Sequence, residues 1–183
     1  MIRWLILLLV LWEAENALGC PSIVSRSQWA ARRSSCTTRL STPVPGVIIH
    51  HTAGAFCSNR NSCNAQMRNI QHFHMNTRKW CDIGYNFLIG EDGTVYEGRG
   101  WTTQGAHAKS YNQNIGICFM GTFTNRAPNS AALRAARNLI SCGVARKYIK
   151  RDYRLRGHRN VNPTSCPGNS LYNVIRGWPH FKA

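Results

Sequence analysis

One loop near the carboxyl end of the chain reads Gly157-His158-Arg159-Asn160-Val161-Asn162-Pro163-Thr164-Ser165-Cys166-Pro167-Gly168. It joins His158 to Cys166, and imidazole nitrogen and thiolate sulfur are both good zinc ligands. Pro163 and Pro167 each fix a φ angle, so the loop can hold the two ligands at a constant separation. On spacing alone, Cys166 can equally be half of a disulfide bond and His158 a surface residue, since the chain has no compact CxxC or HExxH signature.

A metal site needs a third ligand from elsewhere in the chain. The best source is the histidine pair in Val47-Ile48-Ile49-His50-His51-Thr52-Ala53-Gly54. The run before the pair is β-branched, which is typical of a strand. A site made of one of these histidines with His158 and Cys166 would unite residues from opposite ends of the chain.

The amino-terminal segment, residues 1–19, has the features of a secretory signal peptide. Arg3 gives a short basic start, residues 4–12 form an apolar run, and Ala17-Leu18-Gly19 offers small residues for cleavage. The run is too short to span a bilayer, so we predict a secreted, extracellular protein without a transmembrane segment. The remaining residues, 20–183, are enough for one domain with a single core.

The chain is strongly basic. It has 23 lysines and arginines against 7 aspartates and glutamates, a formal net charge of +16. Such a charge favours anionic polymers or surfaces as partners. Nucleic acid is one candidate, and bacterial envelopes, with their phosphates and carboxylates, are another that an exported protein meets more readily. The sequence contains no RNA-recognition motif, zinc finger or basic heptad array, so we predict no specific nucleic-acid partner.

Eight cysteines are present, and most should pair in an oxidising compartment. Cys57 and Cys63 are close enough in sequence to close a small loop. Cys118 lies in an apolar run, where we expect it to behave as a small buried hydrophobe. If Cys166 binds a metal and Cys118 stays a thiol, six cysteines remain for three bridges, and their connectivity stays open at this point.

Hydrophobic periodicity predicts an α/β domain with helices covering a central mixed β-sheet. Strands are expected at residues 47–51, 84–90, 94–97 and 114–121, the last fully apolar and therefore central. Helices are expected at residues 61–76, 130–147 and 170–178. Asn61 or Ser62 is expected to cap the first helix, and Asn129 the second. Residues 21–45 are predicted to form an irregular arm, and residues 153–157 are predicted to lead into the carboxyl-terminal loop.

Five segments together resemble the peptidoglycan recognition proteins and, through them, zinc amidases of the bacteriophage-lysozyme type. The matching segments are Val47 to Ala53, Trp80 to Gly90, Val95 to Trp101, Gly105-Ala106-His107 and Gly157 to Gly168. The resemblance covers about residues 27–181. It implies the amidase type 2 fold, a zinc cofactor and bacterial peptidoglycan as the partner.

Carried over residue by residue, the resemblance implies a complete site. The zinc ligands fall on His50, His158 and Cys166, and the catalytic positions on Tyr85 and Thr164. The expected substrate-binding residues are His51, Thr52, His74, Arg78, Trp80, His107 and Asn112. The implied disulfide bonds are Cys20–Cys142, Cys36–Cys81 and Cys57–Cys63.

The resemblance also implies a reaction. Three protein ligands leave the zinc a fourth position for water, and the attacked amide joins N-acetylmuramic acid to L-alanine. Tyr85 and the zinc would share the developing oxyanion charge. Many relatives carry serine at the position of Cys166 and do not hydrolyse, so this cysteine predicts a zinc amidase of innate immunity. The alternatives are a receptor that binds peptidoglycan without chemistry and a bactericidal protein that acts through its charge.

Overall fold

A computed structural model describes residues 20–183, and the expected signal peptide lies outside them. Six strands and three α-helices account for the regular structure of this range. The strands are β1 (Ile23–Val24), β2 (Val44–His51), β3 (Phe87–Ile89), β4 (Val95–Glu97), β5 (Ile115–Phe119) and β6 (Ile149–Gly157). The helices are α1 (Arg60–His72), α2 (Ser130–Ala145) and α3 (Asn169–Ile175), with a π-helical turn at Phe73–Thr77 and a 3₁₀ turn at His158–Asn160.

The strands form one mixed sheet in the order β1-β4-β3-β5-β2-β6. All neighbours are parallel except β3 and β4, which pair antiparallel around the Asp92-Gly93 turn. Gly93 has a φ of 74°, a conformation that glycine adopts without steric cost. The predicted mixed sheet and the interior position of β5 are confirmed.

Each face of the sheet packs a separate part of the core, because side chains alternate along a strand. Val47 and Ile49 of β2 point to the face that α2 and α3 cover. The opposite face carries Leu88 and Cys118, packed with Met67 of α1. His50 is out of phase with Ile49, so its side chain leaves the sheet on the α1 side.

Helix α1 begins earlier than the sequence predicts. Its cap is Asn59, whose side chain accepts the backbone N–H of Ser62 at 2.9 Å, so the prediction of Asn61 or Ser62 as the cap is wrong. In turn, the Ser62 hydroxyl oxygen accepts the backbone N–H of Asn59, and the two hydrogen bonds together form a capping box. At the start of α2 the predicted Asn129 cap is confirmed.

Two strands are not among those predicted from the sequence. The arm at residues 21–45 contains β1, which pairs with β4, and Trp29, which is fully buried and donates its indole N–H to the Glu97 carbonyl. Residues 149–157 form β6, an edge strand parallel to β2. Charged residues interrupt its apolar pattern, which an edge strand tolerates because its outer side meets water.

Three disulfide bonds connect distant parts of the described chain. They are Cys20–Cys142, Cys36–Cys81 and Cys57–Cys63, the pairs that the resemblance implies. Cys118 and Cys166 are free thiols, and both are buried. Within residues 20–183, no helix has the length and apolar character needed to cross a membrane.

Candidate metal centre

Two parallel strands bring the candidate ligands together. β2 ends at His51, and the neighbouring β6 ends at Gly157, just before His158. Because the strands are parallel, their carboxyl ends lie at the same edge of the sheet, and the loop that follows β6 returns Cys166 to this edge. The ligand atoms of His50, His158 and Cys166 all lie within 4.8 Å of one another.

The three side chains are largely withdrawn from water. His50 is 1% exposed and Cys166 is 9% exposed, while His158 is partly exposed. The Cys166 sulfur lies 3.8 Å from Nδ1 of His50 and accepts the backbone N–H of His51 at 3.4 Å. The rings of His50 and His158 have centroids 4.5 Å apart.

A relay of hydrogen bonds fixes the tautomer of His50. Nε2 of His107 lies 3.1 Å from the Asn114 carbonyl oxygen, which can only accept, so this nitrogen carries the proton. Nδ1 of His107 is therefore an acceptor, and it lies 2.9 Å from Nε2 of His50. His50 donates from Nε2 and keeps a lone pair on Nδ1, the nitrogen that faces Cys166.

His158 is oriented in the same way. Its Nε2 lies 3.1 Å from Oδ1 of Asn162, whose amide nitrogen donates to the Lys109 carbonyl. Nδ1 of His158 is then the nitrogen with a free lone pair. Metal-binding histidines commonly donate their second ring N–H to such a partner. The donor set and its outer partners therefore fit zinc.

The protonation states of the cluster favour a cation. Burial, followed by the nearby histidines, lowers the pKa of His50 well below its usual value, and burial also lowers the pKa of His107 to about 4. Both imidazoles are thus neutral at pH 7. Burial raises the pKa of the Cys166 thiol to about 12, so the thiolate needs a bound cation to form at neutral pH.

Tyr85 stands beside the cluster. Its ring centroid is 5.3 Å from that of His50. Burial, with smaller contributions from the thiols of Cys118 and Cys166, raises the pKa of Tyr85 well above its usual value. The phenol therefore stays protonated at neutral pH and can serve as a hydrogen-bond donor. Thr164, the other expected catalytic residue, is exposed, and its hydroxyl accepts the backbone N–H of Cys166 at 3.2 Å.

A cleft of about 420 Å³ opens onto the cluster. Five of the seven expected substrate-binding residues line it: Thr52, His74, Arg78, Trp80 and His107. Tyr85 and His158 also line it, which joins the cleft to the metal centre. The rings of His74 and Trp80 have centroids 4.6 Å apart and form part of one wall.

The other two expected substrate-binding residues lie outside the lining of this cleft. His51 is 6% exposed, and its Nδ1 accepts the backbone N–H of Phe123 at 3.2 Å. The side-chain oxygen of Asn112 accepts the backbone N–H groups of His107 and Ala108, at 2.8 and 2.9 Å. Each therefore holds backbone in place next to the site.

One wall of the cleft is not predicted from the sequence. It is built by α1 and the π-helical turn, through Gln66, Asn69, Ile70 and Phe73. Phe73 is 45% exposed, and the Arg78 guanidinium lies 5.5 Å from its ring centroid. The spacing of these residues, three or four apart on a helix, is the signal that could have found them.

The fold and the cluster define a class: an α/β domain with two imidazoles and a thiol gathered at the carboxyl edge of a sheet, a donor set that could hold a metal ion such as zinc. Residues 40–169 match the family described as N-acetylmuramoyl-L-alanine amidase. Because the match spans more than half of the chain, this chain belongs to that amidase family.

The relatives narrow the class to the peptidoglycan recognition proteins. Peptidoglycan recognition protein 1 of Bos indicus is 51% identical over 177 residues, which cover 96% of this chain and 93% of the relative. Peptidoglycan-recognition protein SC2 of Drosophila simulans is 48% identical over 180 residues, or 98% and 97% of the two chains. Within the amidase family, this chain is therefore a peptidoglycan recognition protein.

Solved structures agree with this placement. Drosophila PGRP-LB superimposes with a TM-score of 0.87 at 44% identity, over 88% of this chain and 96% of that one. Human PGRP-IβC, solved in complex with glycosamyl muramyl pentapeptide, gives a TM-score of 0.87 at 48% identity, over 90% and 100% of the two chains. The predicted fold is thus confirmed.

Proposed function

We propose that this chain is a secreted zinc amidase that binds bacterial peptidoglycan and hydrolyses the amide between N-acetylmuramic acid and L-alanine. The observation that carries the proposal is the cluster of His50, His158 and Cys166, with ligand atoms within 4.8 Å of one another at the end of an open cleft. Three nitrogen and sulfur ligands from the protein are typical of a catalytic zinc, whereas a structural zinc takes four.

The cleft supplies groups that suit a muramyl peptide. Trp80 offers an apolar wall, and the exposed guanidinium of Arg78 can form a bidentate pair with a carboxylate of the stem peptide. Two solved relatives bind ligands of this kind: human PGRP-IβC is in complex with glycosamyl muramyl pentapeptide, and PGRP-LE with a monomeric diaminopimelic acid-type peptidoglycan. These likenesses support peptidoglycan as the ligand of this chain.

In the proposed reaction, His50, His158 and Cys166 would hold the zinc. When bound, the ion supplies Lewis acidity, which polarises a carbonyl oxygen and makes water nucleophilic near neutral pH. His107 and Asn162 keep the two imidazoles in the tautomer that leaves Nδ1 free. Their positions are set before substrate arrives, so little reorganisation is needed.

Tyr85 stabilises the developing charge in this scheme. Its hydroxyl keeps its proton at neutral pH, because burial raises its pKa. A donor that contacts the oxyanion in the transition state contributes roughly 3 kcal/mol. Thr164 has a supporting role, since its hydroxyl accepts the N–H of Cys166 and thereby helps to fix the ligand loop.

The direct test measures release of stem peptide from defined muropeptides by purified protein with zinc. We expect release by the wild type, and loss of release with a chelator or with Cys166→Ser. Cys118→Ser is the matched control, because it makes the same change at the other free and buried thiol, which lies outside the ligand cluster, and keeps a hydroxyl where that thiol meets Tyr85. Full activity of Cys166→Ser would refute the assignment.

The second candidate function is peptidoglycan binding without hydrolysis. It is favoured by the cleft itself, because Arg78 and Trp80 can bind a stem peptide with no metal present. Wild-type protein that binds muropeptides but releases no peptide would support it. The three disulfide bonds, together with the expected signal peptide, support secretion under either function.

A further inference from the structure

A basic segment lies outside the proposed amidase site. It reads Arg146-Lys147-Tyr148-Ile149-Lys150-Arg151-Asp152-Tyr153-Arg154-Leu155-Arg156, with six basic residues and one acidic residue. Most of it belongs to β6, at one edge of the sheet. The proposed hydrolysis assigns no role to these charges, so they need a separate explanation.

Because side chains alternate between the two faces of a strand, part of this charge lies on one face of β6. Lys150, Asp152, Arg154 and Arg156 point to the same face of the strand, because they are two residues apart. All four line a cleft of about 320 Å³, which we call the β6 cleft. Three of the four carry positive charge, and Tyr111 completes a wall.

The cations of the β6 cleft form no ion pair within the described part of the chain. Elsewhere, Arg26 pairs with Asp82, and Arg126 pairs with Glu91. In the β6 cleft, Asp152 forms no ion pair, and Nε of Arg156 is buried without a hydrogen-bond acceptor. A buried donor without a partner is unfavourable, so this guanidinium is not fully satisfied within the described residues.

We propose that the β6 cleft binds phosphodiester groups of an anionic polymer of the bacterial wall. The planar guanidinium groups of Arg154 and Arg156 match phosphate oxygens in a bidentate manner. Cations distributed along an extended strand suit a linear chain with repeated charges better than a single small ion.

The lining of the cleft favours a wall polymer over single-stranded nucleic acid. Proteins that bind single strands present aromatic rings on which bases stack. The aromatic residue in this lining is Tyr111, and the Arg156 guanidinium already lies over its ring, 6.0 Å from the centroid. The β6 cleft therefore offers cations along the strand and no free stacking surface in its described lining.

The β6 cleft lies next to the candidate metal centre. Ile48 of β2 lines the cleft and is paired with Arg156, and His50 lies two residues further along the same face. Asn114, whose carbonyl oxygen holds His107, also lines it. A wall polymer bound here would keep the chain at a surface rich in peptidoglycan. Binding itself requires no hydrolysis, so the proposal is independent of the amidase activity.

The test compares two double variants that remove the same charge. Arg154→Gln with Arg156→Gln alters the β6 cleft, and Arg33→Gln with Arg134→Gln removes two exposed arginines elsewhere. The probe is purified poly(glycerol phosphate), and affinity is measured at several salt concentrations. We expect the cleft variant to bind about tenfold more weakly and to lower the slope of log affinity against log salt by about 2. The control pair should change affinity less than about twofold.

Three outcomes would overturn the proposal. Equal losses in both double variants would show that net charge alone matters. A larger loss for a single-stranded oligonucleotide of equal phosphate number would indicate a nucleic-acid site. An equal loss for polyglutamate would show that phosphate is not recognised. Circular dichroism checks folding, and the single variant Arg154→Gln, at an exposed residue and expected to lower the slope by about 1, tests the same point without altering Arg156, whose Nε is buried.

Discussion

The Nε2 atom of His50 lies 2.9 Å from Nδ1 of His107, and His107 is held in turn by the Asn114 carbonyl oxygen. His107 is 7% exposed, and a Cβ atom at Gly105 or Gly116 would approach its ring to within 2.4 or 2.5 Å. Both glycines therefore leave space for this imidazole. The resemblance places His107 at the substrate, and the structure adds a contact that sets the tautomer of a candidate zinc ligand.

Substitution of His107 should weaken zinc binding. His107→Leu removes the acceptor of the His50 N–H, and loss of such an outer partner typically costs about 10- to 100-fold in metal affinity. The measurement is zinc affinity by competition with a chromophoric chelator. His72→Leu is the control, because His72 is exposed and belongs neither to the ligand cluster nor to the lining of the cleft. Equal affinities for both variants would rule out the positioning role of His107.

Zinc binding should release about one proton from the protein at pH 6. The pKa of the Cys166 thiol is raised to about 12 by burial, so it is protonated before the ion binds and ionised afterwards. His50 has a lowered pKa and is already neutral, so it contributes little. Calorimetry in buffers of different ionisation enthalpy counts the protons. Release of none would mean that Cys166 is not a ligand.

Tyr85→Phe should reduce turnover while leaving binding intact. It removes one hydroxyl and keeps the ring that packs near His50. Loss of one oxyanion donor lowers kcat by about 10²- to 10³-fold. The measurement is kcat and KM on a defined muropeptide, with zinc content as a check on the site. An unchanged kcat would exclude Tyr85 from the reaction.

The protein should become less stable as pH decreases, over the range in which His74 titrates. Burial, and then Arg78 and Arg99, lower its pKa from 6.5 to about 4, against an opposing effect of Asp82. Between these values the unfolded chain binds a proton that the folded chain does not, so the free energy of unfolding decreases as pH falls from 6.5 toward 4.

The matched variant for this effect is His74→Gln. Nδ1 of His74 accepts the Gly84 N–H at 2.9 Å, and a glutamine oxygen can replace this acceptor without titrating. We expect the pH slope of metal-free protein to decrease by up to about 1.4 kcal/mol per pH unit in this window. Urea denaturation between pH 7 and about pH 4.5 measures it. Identical slopes for the variant and the wild type would contradict the assignment.

The sequence predicts those elements whose signals are local. The β-branched run before His50, the Asn129 cap and the Asp92-Gly93 turn each depend on a few adjacent residues, and each is found. The edge strand β6 was missed because its charged residues obscure the period of two. Its neighbour β2 pairs with it from far away in the chain, which no local pattern encodes.

The candidate site also has one part that the sequence predicts and another that it does not. The ligand residues stand in recognisable motifs, so the resemblance identifies them from sequence. The outer contacts, His50 with His107 and His158 with Asn162, depend on ring orientation and on which nitrogen carries the proton. Those properties follow from the packed structure, where Gly105 and Gly116 make room for one ring, and sequence alone does not determine them.

X-ray absorption at the zinc edge of the purified wild-type protein tests the central claim most directly. The account predicts one zinc per chain, with one sulfur at about 2.3 Å, nitrogen ligands at about 2.0 Å and a light-atom ligand that the protein does not supply. Cys166→Ser should lose the sulfur signal, and Cys118→Ser should keep it. A zinc without a sulfur ligand, or a sulfur signal that survives in Cys166→Ser, would contradict the proposed metal centre.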